Sequence, residues 1–292
     1  MRVFDAIILG NVSRDYIITP ESDTEGVGGA VVYAAAAARA LGARVLAVTK
    51  CHPADTPMLA VFEALGVPVV VRDSAQTTSI RNTYHSVDRE TRTCEAVGMA
   101  APYTEEDMPE NAAGNLYYLG GLMRGEFPAP FIRLAAERGA VAADAQGFLR
   151  VNENGPMVFR DWDAKRELLP LLRYFKCDAA EGKILTGESD PYRAAGILAA
   201  WGPDEVVLTH PEGVIAQVGQ DAYFAPWTAR SMDGRTGRGD TCFCTYCLRR
   251  RVTGPEAACR FAAALTSLKM ERPGPFSGSV AEVEQALSER YA

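Results

Sequence analysis

Thr236-Gly237-Arg238-Gly239-Asp240-Thr241 stands between a polar run and a long apolar, helix-compatible segment, Cys242 to Val252. The architecture of the whole chain hangs on how these six residues are read. Two glycines let the backbone turn tightly and bring bare N–H groups close to a ligand, while the following helix aims the positive end of its dipole at the same point. Such a turn is an anion cradle. A carboxylate directly after it is not itself the bound anion, so Asp240 is placed to accept a proton from a hydroxyl approaching a bound phosphate. The pattern implies phosphoryl transfer to an alcohol. Taken alone, the same residues also fit a surface turn with Asp240 as a plain N-cap.

Upstream, Arg2 to Leu9 ends in an apolar run bounded by Gly10, as a buried parallel strand does. Asn11-Val-Ser-Arg-Asp15 follows, and ligands of open α/β sheets bind beyond the carboxyl ends of strands, which makes Asp15 a candidate substrate contact. Its plainer reading is a loop carboxylate making local turn hydrogen bonds. Gly26-Val-Gly28-Gly29 opens a helix of small residues, Ala30 to Leu41, and Gly28 and Gly29 allow a second close backbone approach to a ligand. Strand Arg44 to Lys50, helix Asp55 to Leu65 and strand Val67 to Val71 continue an alternation that requires parallel strands. Between Gln76 and Val97, β-branched and polar residues alternate about a turn at Asp88-Arg-Glu-Thr91, which predicts an antiparallel hairpin. With Tyr16 to Thr19 it would form a β lid, spanning about 11–20 and 76–97, that keeps water from the transfer.

Leu116 to Leu119 and Val141 to Ala143 read as further strands around a helix at Ala129 to Arg138. Asp144-Ala-Gln146-Gly-Phe-Leu-Arg150 then places polar groups at another strand end, Gln146 among them. Trp162 to Phe175 reads as an amphipathic helix, and Asp178-Ala-Ala-Glu181 leads into a short helix that stops near Gly187. Val206 to Thr209 is a strand, His210-Pro-Glu-Gly213 a turn, and Val214 to Val218 with Ala222 to Ala225 a hairpin. Helices at Asp240 to Val252, Pro255 to Met270 and Val280 to Arg290 close the chain. No internal repeat or low-complexity linker interrupts it, so 1–292 is expected to form a single α/β domain.

The 292 residues, 48% of them hydrophobic, suffice for a substantial core. A net charge of -7 argues against nucleic acid as a partner, and an acidic protein that binds a nucleotide must supply positive potential locally, through backbone N–H groups, a few basic side chains and Mg2+. No run of about 18 uncharged apolar residues occurs, and the N-terminus enters a strand without a basic leader; a cytoplasmic protein with no membrane contact is expected. Seven cysteines do not suggest a disulfide framework. Cys242, Cys244 and Cys247 fall on one helix, where core packing is the default over metal ligation. Arg249-Arg250-Arg251 reads as a solvated helix end.

Taken together, the chain resembles the ribokinase-like (PfkB) family of small-molecule kinases over essentially its whole length. The resemblance rests on Thr-Gly-x-Gly-Asp at 236–240, the Gly-Gly helix start about 200 residues earlier, Asp15 after the first strand, and Asp178-x-x-Glu181 for the family's Asn-x-x-Glu. It implies a mostly parallel sheet flanked by helices with a small β lid, Asp240 as general base, and an anion hole from the N–H groups of Gly237, Arg238 and Gly239. It further implies that Asp15, Gly28, Gly29 and Gln146 hold the acceptor, and that Thr209, Gly213, Asp178 and Thr236 lie at an ATP site. By the same resemblance Glu181 stands near Mg2+ and phosphates; a helix-start carboxylate satisfied by the dipole is the alternative. A homodimer joined through the lid sheets is also expected. The chain departs from the family in Arg238, where Ala is usual, in an extra residue between Asp233 and Thr236, and in Tyr33 and Ser13 where sugar kinases often carry Asn. Asp144-x-Gln-Gly-Phe-x-Arg150 is similar to the myo-inositol kinase branch, making a cyclic polyol the first substrate. Against the kinase stands a ligand-binding or regulatory protein on the same fold, motivated by the altered signature; a dinucleotide-dependent oxidoreductase is disfavoured because no Gly-x-Gly-x-x-Gly follows the first strand.

Overall fold

The computed structural model describes residues 1–85 and 92–291. The turn expected at Asp88 to Thr91 lies outside the described residues. A nine-stranded sheet dominates, in the order 221–226, 213–218, Glu205–His210, Tyr174–Asp178, Ala140–Asp144, Leu116–Leu119, Ala6–Leu9, Val45–Cys51 and Val69–Asp73. Strand 213–218 runs antiparallel to both its neighbours near one edge; the other pairings are parallel. From Ala6–Leu9 the chain adds strands outward on one side, then returns to add Leu116–Leu119 on the other. In sheets with such a reversal, ligands bind beyond the carboxyl ends of the two strands that flank it.

The first strand shows why the sheet is covered on both faces. Ala6 and Ile8 pack with the helices Ala30–Ala40, Arg238–Arg249 and Pro255–Met270, while Ile7 and Leu9 pack with Ala129–Arg138 and Pro191–Ala199. Successive residues of a strand point to opposite faces, so an unbroken apolar run is what a doubly covered strand needs. Small side chains bring helix Ala30–Ala40 close to the sheet, and its residues Ala30 through Ala38 are all buried.

A separate four-stranded sheet is ordered Asp23–Gly28, Ser13–Ile18, Thr78–Tyr84, Arg92–Gly98. It contains the expected hairpin and Tyr16 to Ile18, and adds an edge strand at Asp23–Gly28 that its Gly and acidic residues concealed.

Several sequence expectations are corrected. Arg2 to Leu9 is two strands broken at Asp5, the first pairing with Ala112–Gly114. Asp55 to Leu65 begins as a 3-10 turn, Pro53–Leu59, because Pro57 has no N–H to donate; only Ala60–Leu65 is α-helix. Trp162 to Phe175 is not one helix: Lys165–Leu168 gives way to a 3-10 turn holding Pro170, and Tyr174–Asp178 is a core strand. The three arginines are not a bare solvated end, since Arg250 pairs with buried Glu205 at 2.8 Å and Arg251 with Asp5 at 3.0 Å. Cys242, Cys244 and Cys247 are buried in the core, as the packing reading expects.

Candidate active site

The acceptor side is assembled across the small sheet. Ser13 faces Gly28 on the neighbouring strand, and the Ser13 hydroxyl donates to Asp15 Oδ1 at 2.7 Å. A Cβ at Gly28 would overlap Asp15 Oδ2, so the glycine makes room for that carboxylate. Gly29 follows as the N-cap of helix Ala30–Ala40. Burial raises the Asp15 pKa, while the Ser13 hydrogen bond and the charge of Arg150 oppose the rise. Arg150 Nη2 donates to Gln146 Oε1 at 2.8 Å, and the Gln146 N–H donates to Asp144 Oδ1 at 3.1 Å. Gln146 thus orients a guanidinium whose charge acts on both Asp15 and Asp240.

The signature forms the mouth of helix Arg238–Arg249, with Gly237 as N-cap at φ 77°. That left-handed conformation suits glycine, and a Cβ there would also overlap the Tyr33 ring. Asp240 is therefore not the N-cap; it lies in the first turn of the helix. Burial pushes its pKa up to about 6 and the negative charge of Asp144 adds to this, while Lys176, its own backbone N–H and Arg150 pull it down. A base with a pKa near the operating pH is ionised yet still basic enough to take a proton. Tyr33 is pushed up to about 12 by burial, with Asp15 and Asp240 contributing, which ties both carboxylates to one phenol.

Lys176 underlies the same turn. A Cβ at Gly239 would stand 3.0 Å from Lys176 Nζ, and that ammonium pairs with Asp144 at 3.0 Å and more loosely with Glu181 at 3.8 Å. Burial works to neutralise the amine, but Asp144, Glu181 and the other carboxylates outweigh it and keep it protonated. The ammonium thus sits, paired with carboxylates, beneath the Gly237–Gly239 turn.

The remaining residues extend along the same sheet edge. Asp178 and Glu181 form a reciprocal capping box: Asp178 Oδ1 accepts the Glu181 N–H at 2.8 Å and Glu181 Oε2 accepts the Asp178 N–H at 2.7 Å. Glu181 is thus a helix-start carboxylate, and burial pushes its pKa to about 7. Thr209 is buried on the strand beside Asp178, and Gly213 lies opposite His210. Thr236 presents its carbonyl to Lys269. One expected donor is turned elsewhere: the Arg238 N–H bonds back to the Arg235 carbonyl at 3.2 Å, leaving Gly237 and Gly239 as the motif's candidate donors. The Arg238 guanidinium lies 5.7 Å from the Trp227 ring, and burial followed by repulsion from Arg235 lowers its pKa.

Sequence reading did not pick out Lys176, Arg150 or Lys269 as site residues. A lysine inside the apolar strand Tyr-Phe-Lys-Cys was a usable signal, because an ionised side chain in a core strand needs a partner. Lys269 gave none, since a lysine in the last turn of a helix is ordinary.

No protein-family model and no curated relative matches the chain. Among solved structures, it resembles a pyrophosphate-dependent kinase in the ribokinase family complexed with a pyrophosphate analog and myo-inositol, with 34% identity over 96% of this chain and 99% of that one and a TM-score of 0.88. A sulfate complex of a pyrophosphate-dependent kinase in that family gives 35% identity, the same coverage of both chains and a TM-score of 0.88. Arabidopsis thaliana ribokinase complexed with ribose and ATP shares the fold at 17% identity, covering 98% of this chain and 99% of that one, with a TM-score of 0.77. The architecture is that of a phosphotransferase with an alcohol group as acceptor. The chain belongs to the ribokinase family.

Proposed function

We propose that the protein phosphorylates a hydroxyl of a cyclic polyol, with myo-inositol the first acceptor to test, and that pyrophosphate serves as donor ahead of ATP. The observation that carries the reading is the meeting of Asp240, raised to about 6, with the Gly237–Gly239 turn and the Lys176 ammonium beneath it. Asp240 takes the acceptor's proton as its oxygen bonds to phosphorus, and the donor's P–O bond breaks with its electron pair leaving on phosphate, or on ADP if the donor is ATP. Asp15, with Gly28 leaving space for it, and Arg150, held by Gln146, orient the polyol. Positioning and charge neutralisation carry most of the rate in such a transfer. Lys176 and the N–H groups of Gly237 and Gly239 hold the transferred group's oxygens.

What supports pyrophosphate as donor is the likeness to relatives at 34–35% identity, together with the neighbouring guanidinium charges of Arg235 and Arg238, which suit a second phosphate. Among the described residues no group of three His, Cys, Asp or Glu side chains forms a metal cage. Glu181 and Asp178 are the carboxylates that would hold a magnesium ion, which would neutralise phosphate charge. The small sheet serves as the lid. Its two edge strands expose Val27 (40%) and Val97 (46%), which a second copy would cover in a dimer, a point that sedimentation decides.

The test is formation of a phosphorylated product from pyrophosphate or ATP, each with magnesium, across polyols, hexoses, pentoses and nucleosides, with Asp240→Asn run alongside. Turnover of myo-inositol with pyrophosphate that Asp240→Asn abolishes is the expected result. Undiminished turnover in that variant removes Asp240 as base; preference for ATP reverses the donor assignment. A panel that raises the Tm without turnover favours a binding protein.

A further inference from the structure

Lys269 is buried at the end of helix Pro255–Met270, and its ammonium donates to the carbonyls of Gly234 and Thr236, in the run that leads into the signature turn. The same run is fastened to this helix a second time, by the Gly234 N–H on the Met270 carbonyl at 2.8 Å. A Cβ at Gly234 would overlap the Arg272 carbonyl, so the backbones meet with no room between them. The ammonium also lies 5.2 Å from the centre of the Tyr33 ring, the ring that abuts Gly237. In a trans peptide the C=O and the following N–H point in opposite directions. Fixing the Thr236 carbonyl on the ammonium therefore turns the Gly237 N–H the other way, out of the carbonyl pocket.

We propose that Lys269 is a positioning residue for phosphoryl transfer: a tethered cation that locks the carbonyls of Gly234 and Thr236 and so fixes the direction of the Gly237 N–H in the anion hole. Its ammonium is committed to these two carbonyls, so its action runs through the turn. Helix packing alone does not require a charge here, because burying an ammonium is costly unless it is paired and hydrogen-bonded. Burial lowers its pKa to about 8 and the nearby charge of Asp240 opposes that fall, so the ammonium form prevails at neutral pH. The cost is offset where two carbonyls converge, and those carbonyls belong to the turn that carries the chemistry.

The inference rests on the phosphoryl-transfer reading, so the full-length wild type is assayed in parallel, and anion binding is followed separately as the rise in Tm with inorganic pyrophosphate alone. Lys269→Met removes the cation while keeping an unbranched chain; Lys269→Gln retains a neutral donor in case the first variant fails to fold. In either variant, kcat should fall about 100-fold, the scale of losing one anion-hole donor, with the acceptor KM little changed. Ammonium or methylammonium ions, entering the vacated carbonyl pocket, should restore at least about a tenth of it. A side chain that only stabilises the fold would instead lower the Tm and leave kcat per folded molecule intact, with no recovery on adding these cations; that result overturns the proposal. If the wild type turns over no acceptor yet Lys269→Gln loses the pyrophosphate-induced Tm rise and ammonium restores it, the positioning role stands and the kinase reading falls.

Discussion

Asp240 is the group whose titration the reaction should report. Its carboxyl is raised to about 6, so the deprotonated base predominates at neutral pH and is lost as the pH falls through about 6. Below that point kcat/KM for the free enzyme should drop about tenfold per pH unit, the slope of a single essential base. Glu181 also has a pKa near 7, so the limb must be assigned by moving it. The charges around Asp240 supply the means. Arg150 lowers its pKa, so Arg150→Gln should shift the limb to higher pH; Asp144 raises it, so Asp144→Asn should shift the limb to lower pH, each by about one unit for a neighbouring charge. The assay is initial-rate phosphorylation in buffers of constant ionic strength from about pH 4.5 to 8.5, a range that brackets the limb. Glu181→Gln serves as control and should leave the midpoint within a few tenths of a unit. A midpoint near 4, or one that stays fixed in both the Arg150 and Asp144 variants while Glu181→Gln moves it, refutes Asp240 as the titrating base.

Other outcomes follow from the same geometry. Gly237→Ala forces a Cβ into the Tyr33 ring at φ 77°, a conformation that costs an alanine about 1–2 kcal/mol; kcat should fall by at least about tenfold, and Tyr33→Ala in the same chain should recover only the steric part. Gly28→Ala presses on Asp15 Oδ2, so steady-state kinetics should show the acceptor KM rising while pyrophosphate-induced stabilisation is unchanged. Arg250→Ala strands Glu205, which also accepts from the Tyr246 hydroxyl at 2.5 Å; denaturant unfolding should show a loss of about 3–5 kcal/mol, with kcat per folded molecule preserved because the pair is away from the signature turn.

Periodicity and glycine placement revealed much of this protein without coordinates. Apolar runs ending at Gly10 and in Asp144 marked core strands, because a strand covered on both faces has no polar alternation to hide. Gly-Gly before Ala30 and Gly-x-Gly before Asp240 marked helix mouths, because only glycine offers both the backbone freedom and the close approach. Where local pattern and tertiary context disagree, the sequence misled. Trp162 to Phe175 has helical spacing of apolar residues, yet Pro170 breaks it and the sheet recruits Tyr174–Asp178 as a core strand. Asp23–Gly28 has no strand pattern, and is held in the small sheet by its register with Ser13–Ile18.

Residue by residue, Asp15, Gly28, Gly237 and Asp240 could be named in advance because each follows a strand end or opens a helix, and those positions face a common edge in any parallel sheet. Lys176 and Lys269 could not, and Arg150 was legible only as the end of a motif. The significance of the two lysines comes from what lies opposite them across a long stretch of chain: Asp144 for Lys176, and the Thr236 carbonyl for Lys269. The sequence by itself determined the alternating α/β order and the positions of the Gly237–Gly239 turn and of Asp240 at the mouth of its helix, since those depend on local backbone requirements. Tertiary structure alone decided the pKa of Asp240, the pairing of each buried cation and the direction of the anion-hole N–H groups, because electrostatics and hydrogen bonding depend on distances that the order of residues does not contain.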